Sequence, residues 1–494
     1  MTSLRALADA VLLPGFAGTT APDWVRARLA DGLGGVVLFG RNVIGDEQVA
    51  RLSASLSAER DDVVIGIDEE SGDVTRLDAG TGSRLPGPLA LSVAGDLALT
   101  AEVAAALGAR LARCGITVNL APCADLAVAV DDPIIGVRAF GSDPYIAAAH
   151  VGATVRGMQT TGVAACAKHF PGHGSSTTDS HLVRAVLPRS AAELRACDLV
   201  PFRSAIAAGV RAVMPGHLVV PEWGRLPATV NPIAIGDVLR GELGFTGAVI
   251  TDALEMGGVA GTPGNHAGMA KAAVLALRAG ADSLCVGGEA VDPHSLTAIN
   301  EGIVAAVRDG TLTEERLREA GARTRSLGTR ADVGARHRPV RELGMTVARK
   351  AIRANGIPPL PDRPLVLDIE VAPTIAAGPV PWGLGPHLLE LVPGAITVCG
   401  TPSDRLLGLA AEHRTVIVAT RDAHRHPGVC DLIDDLTRVA DIVVHVETGV
   451  PGPDRGTTAR VDTHGGSWSS LRAAAELLAG SAGRHRQPAV SGHG

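Results

Sequence analysis

The sequence predicts an α/β protein, an N-terminal (β/α)8 TIM barrel followed by a smaller α/β sandwich domain. Three observations carry that prediction. Eight short apolar runs alternate with amphipathic stretches before residue 290. Polar residues able to do chemistry follow those runs, where a barrel collects its active site. A proline-rich break, IPPLPDRP, then precedes a second and shorter alternation.

The runs read as strands are Ala10–Leu13, Gly35–Leu38, Val63–Ile67, Ile116–Leu120, Gly162–Cys166, Ala212–Met214, Ala248–Ile250 and Ser283–Val286. Helical periodicity fills the gaps at Pro22–Asp31, Asp46–Glu59, Leu99–Cys114, Pro144–Thr160, Ala191–Ala208, Ile233–Glu242 and Ala267–Ala279. A doubly wound open sheet uses the same units, but eight of them in roughly 300 residues favour a closed barrel. Helices at Pro293–Arg308 and Thr313–Leu327 close this domain, which is expected to span 1–335. A linker over 336–363, including a helix at Arg341–Asn355, leads to the sandwich domain at 364–482. There PLVLDIE, AITVCG, TVIVATR and DIVVHVE read as strands. The polar tail 483–494 is expected to be disordered.

Composition sets limits. The 494 residues suffice for two domains. Hydrophobic residues make up 46% and aromatic ones 2%, so the core must be built from Ala, Val, Leu and Ile. A net charge of -7 provides no basic field for a polyanion, so no nucleic acid partner is expected. No stretch of about 18 uninterrupted apolar residues occurs, and MTSLRALADAVLLPGF lacks a secretory pattern. No membrane association and a cytoplasmic location follow as expectations. Seven cysteines without CxxC pairs fit reduced thiols in that compartment. The second domain has no GxGxxG or GxxxxGK[ST] motif, so no phosphate cradle is expected there.

The richest segment is KHFPGHGSSTTDSH, Lys168 to His181. Its glycines and Pro171 forbid a regular helix, which predicts a long βα loop, and such loops are often functional. Asp179 and His181 stand two apart, so the carboxylate can hold one ring nitrogen and leave the other to exchange a proton with substrate. The rival reading is a metal held by His169, His173, His181 and Asp179. Their spacing matches no zinc signature, and no metal is expected. Asp252, in GFTGAVITDALEM, ends the seventh run and suits a nucleophile at the barrel mouth, or else an N-cap for the next helix.

These segments resemble glycoside hydrolase family 3, and within it the β-N-acetylglucosaminidase subgroup. The resemblance rests on KHFPGHG followed by DSH, and on GGVVLFGRNV, DEESGDVTR, IIGVRAFGSDP, VMPGH and AGADSLCV. It implies that Asp252 is the nucleophile and that His181, held by Asp179, is the acid/base. It implies that Asp68, Arg76, Arg138, Lys168 and His169 bind the hydroxyls of the terminal sugar, and His217 of VMPGH is placed with them. As an alternative, Asp68 and Arg76 form a salt bridge at a strand end. Glu70-Ser71-Gly72 departs from the family's acidic residue followed by two glycines, leaving one backbone position less permissive.

The expected activity is cofactor-free, retaining hydrolysis of terminal β-linked N-acetylglucosamine from a small oligosaccharide, a muropeptide fragment or a chitooligosaccharide. Two alternatives stand beside it. One is phosphorolysis to N-acetylglucosamine 1-phosphate, since a neutral imidazole does not repel phosphate as a carboxylate would. The other is a sugar-binding protein without catalysis. The second domain is expected to shape a cleft edge or an oligomer contact, with a homodimer left open.

Overall fold

The computed structural model describes residues 3–176, 185–260, 265–287, 292–329, 337–379 and 381–482. It divides into two compact units. The first comprises Met1–Glu70, Val74–Asp78 and Asp96–Pro339, and the second comprises Ser71–Asp73, Ala79–Gly95 and Val340–Gly494.

In the first unit, β1 (Leu12–Pro14), β2 (Gly35–Leu38), β3 (Val64–Ile67), β4 (Val118–Asn119) and β5 (Ala164–Phe170) are followed by β6 (Ala185–Val186) and β7 (Ala212–Pro215). β8 (Leu218–Val219), β9 (Ala248–Val249) and β10 (Leu284–Val286) complete the set. The order β2-β3-β4-β5-β7-β9 is parallel throughout, and β10 pairs with β1. A parallel bridge from Ile250 to Ser283 joins β9 to β10, and the Gly34 N–H donates to the Asp9 carbonyl at 2.9 Å beside β1 and β2. Eight strands thus close on themselves, while β6 and β8 form a small ribbon outside the ring. The expected (β/α)8 barrel is present.

Its interior is one cluster to which each of the eight strands, or the residue just past it, contributes: Leu13, Val37, Val64, Val118, Leu120, Ala164, Cys166, Ala212, Met214, Ala248, Ile250 and Cys285. Small and branched residues fill the space that rings would overfill, as the aromatic-poor composition requires. Outside, the long helices Leu97–Arg113 and Pro144–Gln159 start from Asp96 and Asp143, whose side chains accept first-turn N–H groups. The helix expected at Ala191–Ala208 breaks into Ala191–Ala196 and Leu199–Ala207. Pro201 has no N–H for the Cys197 carbonyl, and its ring excludes that carbonyl's helical position.

The second unit carries β11 (Arg353–Asn355), β12 (Leu365–Ile369), β13 (Ile396–Gly400), β14 (Thr415–Thr420), β15 (Ile442–Glu447) and β16 (Ala459–Asp462), in the order β11-β16-β15-β14-β12-β13. Only β11 is antiparallel. Leu384, Leu388, Ala474 and Leu478 cover one face, against Val366, Ile417 and Val444. Leu406, Ala410, Leu432 and Leu436 cover the other, against Leu365, Leu367 and Val418. This is a three-layer α/β/α sandwich.

The segment expected as a linker, 336–363, is corrected. Its helix runs Val340–Ala351 rather than to Asn355, and the chain then turns into edge strand β11, both inside the second unit. Gly344 leaves room for the carbonyl of Arg84, which would stand 1.9 Å from a Cβ there. The short helix Pro88–Ala94 and residues 79–95 also belong to this unit, although the sequence places them within the barrel repeat. Residues 483–494 lie outside the described residues.

Candidate active site

Three acidic residues follow β3, and extended backbone alternates their directions. Asp68 and Glu70 meet Lys168: its Nζ lies 2.7 Å from Asp68 Oδ1 and 2.7 Å from Glu70 Oε1. Arg138 takes Glu70 from the other side with a two-pronged pair, at 2.9 and 2.8 Å. Burial alone would raise the Glu70 carboxyl, but Arg138 and Lys168 together hold it well below the usual carboxylate range. The same two carboxylates keep the buried Lys168 protonated against desolvation. An ammonium has three protons, so Lys168 keeps one for a substrate oxygen.

Glu69 points elsewhere. Its Oε2 accepts the N–H groups of Arg76 at 2.7 Å and Leu77 at 2.9 Å, and the Asn119 side chain bonds its backbone on both sides. Burial pushes its carboxyl up to about 7.

Lys168 and His169 lie on β5, which runs farther than its apolar pattern suggests. Lys168 pairs with Met214 and Phe170 with Pro215, so His169 is the extra residue of a bulge, a device that re-aims a side chain beside a site. The Lys168–His169 peptide is cis. Asp125, beyond β4, fixes the imidazole: Nδ1 donates to Oδ2 at 2.7 Å, which leaves Nε2 for a ligand. Asp125 Oδ1 also accepts the backbone N–H of His169 at 3.1 Å and of His173 at 2.7 Å. Burial lowers His173 to about 4, so it is neutral.

The glycines of this segment have physical reasons. Gly172 adopts φ +126, and a Cβ on Gly174 would lie 1.7 Å from the Leu126 carbonyl oxygen.

Asp252 stands past β9, half-buried, with Oδ1 accepting the Ala253 N–H at 2.8 Å. The next helix begins only at Gly257, so Asp252 is not its N-cap. Asp68 follows β3, Lys168 lies toward the end of β5 and Asp252 follows β9, and because these strands run parallel the three charges stand at the same end of the barrel.

Residues 20–327 match the glycosyl hydrolase family 3 N terminal domain, more than half of the chain. The chain belongs to glycosyl hydrolase family 3. A relative from Stenotrophomonas maltophilia (strain R551-3), named beta-hexosaminidase, is 43% identical over 258 residues, covering 50% of this chain and 75% of that protein. Another of that name, from Chromobacterium violaceum, is 39% identical over 287 residues, 56% of this chain and 76% of its own. The structure of a glycoside hydrolase family 3 beta-N-acetylglucosaminidase from Paenibacillus sp. str. FPU-7 superposes with a TM-score of 0.87 at 30% identity, covering 97% of each chain.

Within this family 3 glycoside hydrolase, Asp68, Lys168, His169 and Asp252 stand at strand ends of the first unit, and Arg138 reaches Glu70 from the 3-10 turn Gly136–Arg138 in the loop after β4. Arg76 is half-buried, and its backbone anchors Glu69. Asp179 and His181 lie outside the described residues.

His217 is corrected. It is fully buried, its Nε2 donates to the Ala253 carbonyl at 2.9 Å, and its Nδ1 meets Thr229 Oγ1 at 2.8 Å. With both nitrogens engaged it props the residue after Asp252 rather than presenting a nitrogen to a sugar.

Two residues of this cluster escape the sequence reading. In the sequence Glu70 stands out only as a departure from the family pattern, yet it joins both cations, and three consecutive acids after a strand are the available signal. Asp125 lies a few residues past the apolar run Ile116–Leu120, but its hold on His169 depends on neighbouring strands.

Cys123, Asp125 and His169 offer ligand atoms within 4.8 Å of one another. They fit a metal poorly. Cys123 Sγ donates to Asp125 at 3.1 Å, and burial together with the Asp125 charge pushes the thiol well above its usual range, away from the thiolate a metal needs.

Proposed function

We propose that this chain is a retaining exo-β-N-acetylglucosaminidase acting on small oligosaccharides, muropeptide fragments or chitooligosaccharides, in the cytoplasm. One observation carries the reading most directly: Asp252, a half-buried carboxylate just past β9, stands at the same end of the parallel strands as the Asp68–Lys168–Glu70–Arg138 cluster. The names of the Stenotrophomonas and Paenibacillus proteins support the choice of sugar.

Charged and forked donors beside fixed carboxylates read hydroxyl positions, because a wrong epimer leaves a buried polar group unpaired. An Asp252 oxygen attacks the anomeric carbon as the glycosidic C–O bond breaks. The leaving oxygen takes its proton from His181, oriented by Asp179. Water then gives a proton to His181 and its oxygen to the anomeric carbon, breaking the Asp252 ester and giving net retention. The described residues include no helix long and apolar enough to cross a membrane.

The test is release of a chromogenic aglycone from an N-acetylglucosaminide, with and without phosphate. Hydrolysis should be lost in Asp252→Ala and in His181→Ala with the fold intact, and near-full activity in either overturns the assignment. Phosphate-dependent formation of N-acetylglucosamine 1-phosphate would identify a phosphorylase instead.

A further inference from the structure

The five parallel strands of the second unit follow the order 2-1-3-4-5 when counted from β12. After β12 the chain passes through the helix Gly385–Leu391 on one face, and after β13 through Asp404–Ala411 on the other. It therefore parts at the carboxyl ends of β12 and β14, where open α/β sheets bind ligands. A cavity of about 720 Å³ opens there. Such a volume suits a small molecule.

The lining chemistry narrows the occupant. Several backbone donors at these strand ends are already held by carboxylates: Asp368 accepts the N–H groups of Leu384 and Gly385 at 2.8 and 2.9 Å. Glu447 likewise accepts those of Asp422, Ala423 and Gly449. Arg421, the one basic side chain among the described lining residues, is paired with Asp73 and stacked 4.0 Å over the Trp382 ring. Phosphates and nucleotides thus find no uncommitted positive charge in this lining. The rest of the lining includes Trp382, four prolines, Thr397 and Thr401, and the acidic Asp368 and Glu370. That set suits an uncharged ring with an apolar face and peripheral hydroxyls.

We propose that this cavity is a second saccharide site, taking an uncharged N-acetylhexosamine-containing oligosaccharide between the ends of β12 and β14. The choice of sugar rests on the N-acetylglucosaminidase reading of the barrel; the exclusion of anions does not.

Cys399 provides a local reporter, because it lines the cavity and is exposed, while Cys114, Cys123, Cys166 and Cys285 are buried. The full-length Asp252→Ala protein would be alkylated with a maleimide in the presence of di-N-acetylchitobiose, glucose or inorganic phosphate, following the Cys399 peptide by mass spectrometry. At a chitobiose concentration about four times its Kd, the labelling rate should fall about fivefold by mass action. Phosphate should leave it unchanged. Ala372→Trp, at the exposed rim, should abolish the protection while chromogenic hydrolysis in an otherwise wild-type chain persists.

Unchanged Cys399 labelling at every chitobiose concentration, or protection by phosphate, overturns the site; protection by glucose alone overturns the choice of sugar. Because barrel hydrolysis is read separately, failure of the site leaves the enzymatic assignment standing, and the reverse also holds.

Discussion

Asp125 grips His169 at two points, with Oδ2 at 2.7 Å from ring Nδ1 and Oδ1 at 3.1 Å from the backbone N–H. The carboxylate thereby sets both the tautomer and the direction of Nε2. Asp125→Asn should keep the backbone contacts yet offer the ring a donor where it needs an acceptor. Loss of alignment on this scale costs about 10²-fold. We expect kcat/KM for a chromogenic N-acetylglucosaminide to fall by about that factor, with the melting temperature changed little. Equal activity in the variant would contradict the positioning role.

Glu70 joins Lys168 and Arg138, and all three are buried. Truncating it to Ala leaves Lys168 with Asp68 alone and takes from Arg138 its bidentate carboxylate partner. Breaking a buried pair in this way costs about 3–5 kcal/mol. Urea denaturation should show that loss for Glu70→Ala, and a smaller one for Glu70→Gln, which retains an acceptor.

Glu69 makes stability depend on pH. Its folded pKa, about 7, is above the unfolded value of 4.5, so its contribution is fully present below about 4.5 and is lost as pH rises through 7. Glu69→Gln keeps an oxygen for the Arg76 and Leu77 N–H groups without the charge. The variant should gain on wild type by roughly 2–3 kcal/mol between pH 5 and pH 8, at about 1.4 kcal/mol per tenfold change in proton affinity. Denaturation curves at the two pH values check this, and a pH-independent difference would refute it.

Gly174→Ala tests the loop after β5. The added carbon would meet the Leu126 carbonyl oxygen at 1.7 Å, so backbone must shift. Destabilisation of about 1–3 kcal/mol is expected from overpacking of this kind. Because His173 is the neighbouring residue and its N–H is held by Asp125, activity should fall more than stability alone explains. An active, fully stable Gly174→Ala protein would show that the segment is not fixed there.

The barrel was legible because each of its eight strands is a short apolar run, and eight such units within roughly 300 residues favour a closed sheet over an open one. Lys168, Arg138 and Asp252 were legible because their motifs are local. Asp125 and Glu70 were harder, since their importance lies in partners 44 to 98 residues away across the sheet. His217 misled because a histidine beside a strand end looks free in sequence, and only tertiary packing supplies Thr229 and the Ala253 carbonyl. The segment 336–363 misled for a similar reason. Its prolines read as a spacer, while the helix Val340–Ala351 was already committed to the sandwich.

The chain passes between its two units at five junctions, after Glu70, Asp73, Asp78, Gly95 and Pro339. On the ribosome this imposes a delay. Residues 79–95 emerge early, but the Val340–Ala351 helix that Pro88–Ala94 packs against, and Ser469, which bonds the Arg84 carbonyl at 2.6 Å, are made hundreds of residues later. Separating the two units genetically therefore requires more than a cut near Pro339. A barrel expressed alone would carry an orphaned excursion, and a sandwich expressed alone would lack a piece of itself.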